Sequence, residues 1–117
     1  MNEQEFKART KRLALNVIKL TETLPRTRAA DVLGKQLLRA ATSIGANYRA
    51  ACRGKSRADV IAKLGLVEEE ADETGYWIEL LKETELLPGA KLNELVSESS
   101  EIVAMTVASI KTLRRQP

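Results

Sequence analysis

Two short acidic motifs hold the residues best spaced for chemistry in this chain. Glu70-x-x-Glu73 and Glu98-x-x-Glu101 each put two carboxylates on one face of a helix, because positions three apart are neighbours on a helical surface. Paired carboxylates from two adjacent helices could hold Mg²⁺, a hard cation that takes oxygen ligands. The plainer reading is that Glu-x-x-Glu arises often by chance in acidic helices and serves structural ion pairs. Most other chemistry is closed off by composition. The chain has no histidine, which excludes a Ser-His-Asp triad, a Cys-His pair, histidine-ligated zinc and the Glu-x-x-His di-iron site of helical bundles. No G-x-x-x-x-G-K phosphate loop is present. Cys52 is the only cysteine, so no internal disulfide can form, and it reads as a small buried hydrophobe rather than a reactive thiol. These residues predict a protein that is not an enzyme and takes no cofactor or metal.

Basic residues carry the binding case. Residues 26–57 hold eight basic side chains against Asp31 alone, and residues 58–87 hold two against nine acids. Such blocks mean either helices that pair or a surface with separate basic and acidic faces. Arg49, Arg53, Lys55 and Arg57 are the first candidates for contacts to nucleic-acid phosphates, with Arg26 and Arg28 next. Lys7, Arg9, Lys11 and Arg12 add charge early in the chain, and Arg114 and Arg115 late. Repeated in an oligomer, these patches would form a multivalent field for RNA or DNA. The competing reading is a solvated helix face on a protein-interaction or structural scaffold with no nucleic-acid role.

The elements that must position these residues are all helical. At 117 residues there is room for one domain spanning 1–117. The apolar fraction, 44%, comes from aliphatic residues, with Phe6, Tyr48, Tyr76 and Trp77 the only aromatics, which suits packed helices rather than a barrel. No apolar run approaches a membrane span. The opening Met1-Asn2-Glu3-Gln4-Glu5 is polar and acidic, unlike a secretory signal, and with a lone cysteine the expected location is cytoplasmic.

Apolar periodicity and breakers place helices at about 2–23, 28–53, 57–85 and 91–114. Phe6, Leu13, Val17, Leu20 and Leu24 share one face of the first, and Pro25 stops it. Gly54 ends the second, able to take the left-handed conformation common past a helix end, and Ser56 caps the third. Val60, Leu64, Val67, Ala71, Thr74, Ile78 and Leu81 alternate strictly in steps of four and three, the strongest periodicity in the chain. Leu87-Pro88-Gly89 is a turn, and Leu92, Leu95, Ser99, Ile102, Thr106, Ile110 and Leu113 line the fourth helix. Short connections force antiparallel neighbours. The predicted fold is an all-α, up-down-up-down four-helix bundle.

The second helix carries more apolar surface than one bundle core requires. Beside Leu33, Leu37, Ala40, Ile44, Asn47 and Ala51 runs a second stripe, Gly34, Leu38, Ala41, Gly45, Tyr48 and Cys52. Ser43 and Asn47 sit near the core boundary, where a buried Asn sets helix register. The extra stripe predicts a homo-oligomer interface at Leu38, Ala41, Gly45 and Tyr48, joined by Leu66 and Trp77 from the third helix; a merely wide core is the alternative. Pairing about Gly54 predicts a structural ion pair between Arg39 and the Glu70 to Glu73 segment.

The run Gln36-Leu37-Leu38-Arg39-Ala40-Ala41-Thr42-Ser43-Ile44-Gly45-Ala46-Asn47-Tyr48 resembles the signature of a bacterial four-helix-bundle family. Its members are called intervening-sequence proteins because some are encoded within insertions in large-subunit ribosomal RNA genes. Leu24-Pro25, Val67-Glu68-Glu69-Glu70-Ala71-Asp72-Glu73-Thr74 and Tyr76-Trp77-Ile78-Glu79-Leu80-Leu81 fit the same pattern. The resemblance implies an antiparallel bundle assembling into a ring-like homopentamer. It also brings in a relative, the accessory variability protein of diversity-generating retroelements, which binds nucleic acid and a reverse transcriptase. The chain departs from the common form at Ala50 and Ala51, where many members have Glu-Gly. A remoter resemblance links the two Glu-x-x-Glu motifs to all-helical nucleotide pyrophosphohydrolases and implies Mg²⁺-dependent hydrolysis, although the last acid of that pattern is Glu here rather than Asp.

Overall fold

The computed structural model describes residues 2–116 and contains four α-helices: α1 (Glu3–Thr21), α2 (Arg28–Cys52), α3 (Arg57–Glu83) and α4 (Gly89–Arg114). Each of the first three starts at a polar cap whose side chain accepts an otherwise orphaned backbone N–H. Asn2 accepts from Glu5 at 2.8 Å, Thr27 from Ala30 at 3.2 Å and Ser56 from Asp59 at 3.0 Å. Pro88 precedes α4 without a side-chain cap. The result is an elongated antiparallel bundle of 51 × 21 × 20 Å.

Helix ends follow local chemistry with two departures from expectation. Gly54 does not adopt a left-handed backbone, since no glycine has positive φ among the described residues. It is required by space: a Cβ there would lie 2.3 Å from Val60 Cγ2. The left-handed residue is Glu85, at φ 58°, just past α3. Its N–H donates to the Lys82 carbonyl at 3.0 Å, and that of Leu86 to the Leu81 carbonyl at 3.3 Å. This is the paired bonding of a Schellman motif, built on a residue with a Cβ penalty where glycine is the usual choice.

The core is aliphatic and continuous. The stripe predicted for α3 is buried from Leu64 to Leu81, and that of α4 from Leu92 to Ile110. Phe6, Leu13, Val17 and Leu20 of α1 close one side. The buried hydroxyls of Thr10, Thr74, Ser99 and Thr106 bond to carbonyls three or four residues earlier in their own helices. No buried side-chain polar atom lacks a partner among the described residues.

The width of α2 has an intramolecular cause. It packs between α1 and α3, so it needs two apolar stripes within one chain. Ala41 is fully buried. Gly45 faces Thr10, and Gly34 faces Leu24, with a Cβ at Gly34 lying 2.9 Å from Leu24 Cδ1. Gly45 lets α1 and α2 approach each other, and Gly34 makes room for Leu24 of the connection between them. Tyr48 packs edge-on against Phe6 with ring centroids 4.5 Å apart. Of the residues predicted for an interface, Ala41 is thus enclosed within the chain, whereas Gly45 and Tyr48 pack on α1 and stay half-buried. Leu38 is half-buried against the core, as is Trp77, and only Leu66 of the six stands well exposed, at 46%.

Candidate nucleic-acid interface

Antiparallel topology decides which basic residues meet. The C-termini of α2 and α4 and the N-termini of α1 and α3 share one end of the bundle. Arg53 closes α2, Lys55 lies in the turn and Arg57 opens α3. The Arg57 guanidinium donates to the Gln116 carbonyl, drawing the end of α4 with Arg114 and Arg115 beside the turn. Arg49 stands one turn down α2. All six arginines and lysines at this end are exposed, and none of them forms an ion pair among the described residues. Two acids at the same end are already engaged: Glu3 with Lys7 at 3.0 Å and Asp59 with Lys63 at 2.9 Å. Asp59 also accepts the Lys55 backbone N–H at 3.0 Å, the bond that chiefly lowers its pKa, with Lys63 second. Among the described residues these six cations therefore keep no ion-pair partner at this end.

Arg26 and Arg28 lie elsewhere. They sit at the start of α2, and a rise of 1.5 Å per residue puts them about 37 Å from Arg53 along the helix axis. They are exposed beside a shallow groove lined by Glu22, Pro25 and Lys35. The two groups cannot form one patch on a monomer, so the expected basic cluster divides into two ends. Arg114 and Arg115, which the sequence offers only as added charge late in the chain, join the first. The topology already implied their place there, since the end of α4 must lie beside the start of α3.

Arg39 and Arg9 do structural work. Arg39 of α2 reaches across to α3, with Nη1 3.2 Å from a Glu70 oxygen and Nη2 on Glu73. Trp77 Nε1 donates to Glu73 at 3.1 Å and is the main cause holding that carboxylate below its ordinary pKa, with Arg39 adding to it. Arg9 of α1 spans the sparsely packed seam to α4. It bonds Glu98, lies 3.0 Å from Glu101 and sets Nη1 3.1 Å from Met105 Sδ. Glu70 and Glu73 are thus held on the α2 side of α3, while Glu98 and Glu101 are held on the α1 side of α4. The four carboxylates do not converge, and no group of three or more acidic or cysteine side chains is gathered for a metal among the described residues.

Cys52 is half-buried beside Tyr48 and Glu3, and burial is the main cause raising the pKa of both thiol and phenol. A raised thiol is poorly nucleophilic at neutral pH. No helix among the described residues is long and apolar enough to cross a membrane.

Comparison with known proteins places this bundle. The family model described as 23S rRNA-intervening sequence protein matches residues 2–108. The chain belongs to that family. Its fold is similar to a crystal structure of a protein of unknown function from the S23 ribosomal protein family of Bacteroides thetaiotaomicron. The TM-score is 0.87 and the identity 37%, over 95% of this chain and 99% of that one. No curated protein matches the chain. Within α2, Gly45 is the residue whose missing Cβ lets α1 pack closely, against Thr10.

Proposed function

We propose that the protein is a non-catalytic, self-associating helical bundle that binds RNA or DNA through its basic end, in the cytoplasm. One observation carries this reading. Arg49, Arg53, Lys55 and Arg57, with Arg114 and Arg115, gather at one end without acidic partners among the described residues, whereas Arg9 and Arg39 are each held by two glutamates. Cations left free at a helix turn are suited to phosphate oxygens, and phosphate contacts supply most sequence-independent affinity. The names of this chain's family, 23S rRNA-intervening sequence protein, and of its structural neighbour's, the S23 ribosomal protein family, are in keeping with a ribosomal RNA connection. Among the described residues the aromatics at this end, Phe6 and Tyr48, are buried and half-buried, which favours backbone contacts over stacking on unpaired bases.

Charge reversal at Arg53, Lys55 and Arg57 tests the assignment, with the same reversal at Arg26 and Arg28 as the distant control. Retarded migration of structured RNA or duplex DNA is expected to disappear in the first variant and to persist in the second. Equal loss in both would remove the basic end as the site. No binding by the unaltered protein at low salt would favour a protein scaffold.

A further inference from the structure

Charge sorts the grooves between the helices. The one at the start of α2 is lined by Arg26 and Lys35 but also by Glu22 and Asp31, and Lys35 lies 3.1 Å from Asp31. The α1/α4 seam sets Lys19 and Lys91 beside Glu94, and the depression between α3 and α4 carries Asp72 and Glu79. The groove between α1 and α2 differs. It has a volume of about 560 Å³ and holds Lys7, Lys11 and Arg49, with no carboxylate among its described lining residues. Lys11 and Arg49 form no ion pair among the described residues. Lys7 meets Glu3, which lies outside the lining, at 3.0 Å.

The cations stand on both rims, Lys7 and Lys11 from α1 and Arg49 from α2. The floor between them includes Ala8, Gly45 and Ala46, and the two alanines are exposed, so no long side chain fills the furrow from below. Along α1 the groove spans Gln4 to Ala14, about 15 Å at 1.5 Å per residue. It opens toward the basic end, because Arg49 belongs to both. Arg53 follows one turn beyond on the same side of α2, and Lys55 lies in the turn after it. Past Ala14 the same stripe of α1 becomes aliphatic, with Leu15 and Ile18 exposed, and the cationic track ends there.

We infer that this groove seats a single nucleic-acid strand, backbone inward, leading away from the basic end. The inference rests on the nucleic-acid binding proposed above and names the form of the partner there. Rim cations without a carboxylate between them suit a polyanion. Shape selects which one. Helices packed about 8–10 Å apart leave a furrow far narrower than a duplex, whose phosphates would reach only the rims. The phosphates of one strand can sink between them. Continuity with Arg53 and Lys55 favours a long, uniformly charged polymer over a short acidic peptide. No aromatic side chain lines the groove among the described residues, so the bases face outward unstacked and the strand is held irrespective of sequence. At about 3.4 Å or more per nucleotide, the groove takes up to about four nucleotides.

Fluorescence anisotropy of the full chain with labelled oligo-dT, and with a DNA hairpin duplex of the same phosphate number, tests this. Ala8→Gln with Ala46→Gln fills the floor without altering charge. Lys11→Gln removes one exposed rim cation that lies outside the basic end. Circular dichroism checks that both variants remain folded. The floor variant is expected to weaken oligo-dT binding about tenfold, as the phosphates lose their close approach, and to leave the hairpin as it was. Lys11→Gln is expected to make the log–log salt slope for oligo-dT shallower by about 0.7, the single-strand value for one phosphate contact, with no change for the hairpin. Equal loss for both probes, or no loss for either, would overturn the groove assignment while leaving the basic end as the binding site. Polyglutamate binding that the floor variant weakens, with oligo-dT unaffected, would give the groove to an acidic protein instead. Binding of neither nucleic acid at low salt would overturn this inference and the proposed function together.

Discussion

Gly45 of α2 lies so close to Thr10 of α1 that a Cβ at Gly45 would stand 3.2 Å from the threonine hydroxyl oxygen. Thr10 is itself buried and directs that hydroxyl to the Lys7 carbonyl at 3.1 Å, so it has little room to yield. Gly45→Leu is therefore expected to destabilise the isolated chain, by about 1–3 kcal/mol as overpacking usually does. A lower urea midpoint in a monomeric sample checks this. An unchanged midpoint would mean that the glycine is not kept for α1.

Glu85 carries a positive φ of 58° in the motif that ends α3. A left-handed residue with a Cβ bears a penalty that glycine avoids, on the order of 1 kcal/mol. Glu85→Gly is expected to raise stability by up to about that amount, read from chemical denaturation. Destabilisation would indicate that the Glu85 side chain contributes something the backbone geometry does not reveal.

Glu73 is bonded by Trp77 and Arg39, and its pKa in the folded chain lies below the ordinary 4.5. The folded value is depressed, so the stabilisation is complete above the unfolded pKa and is lost as pH falls through the lower folded one. The denaturation midpoint is expected to drop between pH 5 and the folded pKa, and to drop less in Glu73→Gln. The Arg39 side chain is 49% exposed, so a double-mutant cycle with Glu73 should give only a weak coupling that fades with salt.

Burial raises the Cys52 thiol. Its reaction with a disulfide reagent at neutral pH is expected to be slower than that of a free thiol, and to recover when the chain is unfolded in urea. Fast labelling of the folded protein would show that the Tyr48 side of the α1/α2 contact opens readily.

The helices were legible because their punctuation is local. Pro25, Ser56 and Pro88 mark ends that need no knowledge of the rest of the molecule, and the strict alternation through α3 identifies its buried seam. The extra apolar stripe on α2 was visible too, but its partner was not. A stripe of Gly34, Ala41 and Gly45 is the same pattern whether it faces another subunit or the chain's own α1, and only the approach to Leu24 and Thr10 decides it. Gly54 misled for a similar reason, since its role depends on the distant edge of Val60 rather than on its own backbone. Glu85 carries no sequence sign of its conformation. At the candidate site, Arg53, Lys55 and Arg57 adjoin in sequence and were easily grouped. Arg26 and Arg28 were grouped with them by charge alone, although the length of α2 separates them, and Arg114 and Arg115 join through topology.

The most direct test of the central claim is affinity for duplex DNA and structured RNA across a salt series, for the unaltered protein and for the Arg53, Lys55 and Arg57 reversal. The account predicts a steep linear fall of log affinity with log salt, and a slope shallower by roughly one unit for each phosphate contact removed. An affinity that is absent at low salt, or a slope that the reversal leaves unchanged, would contradict it.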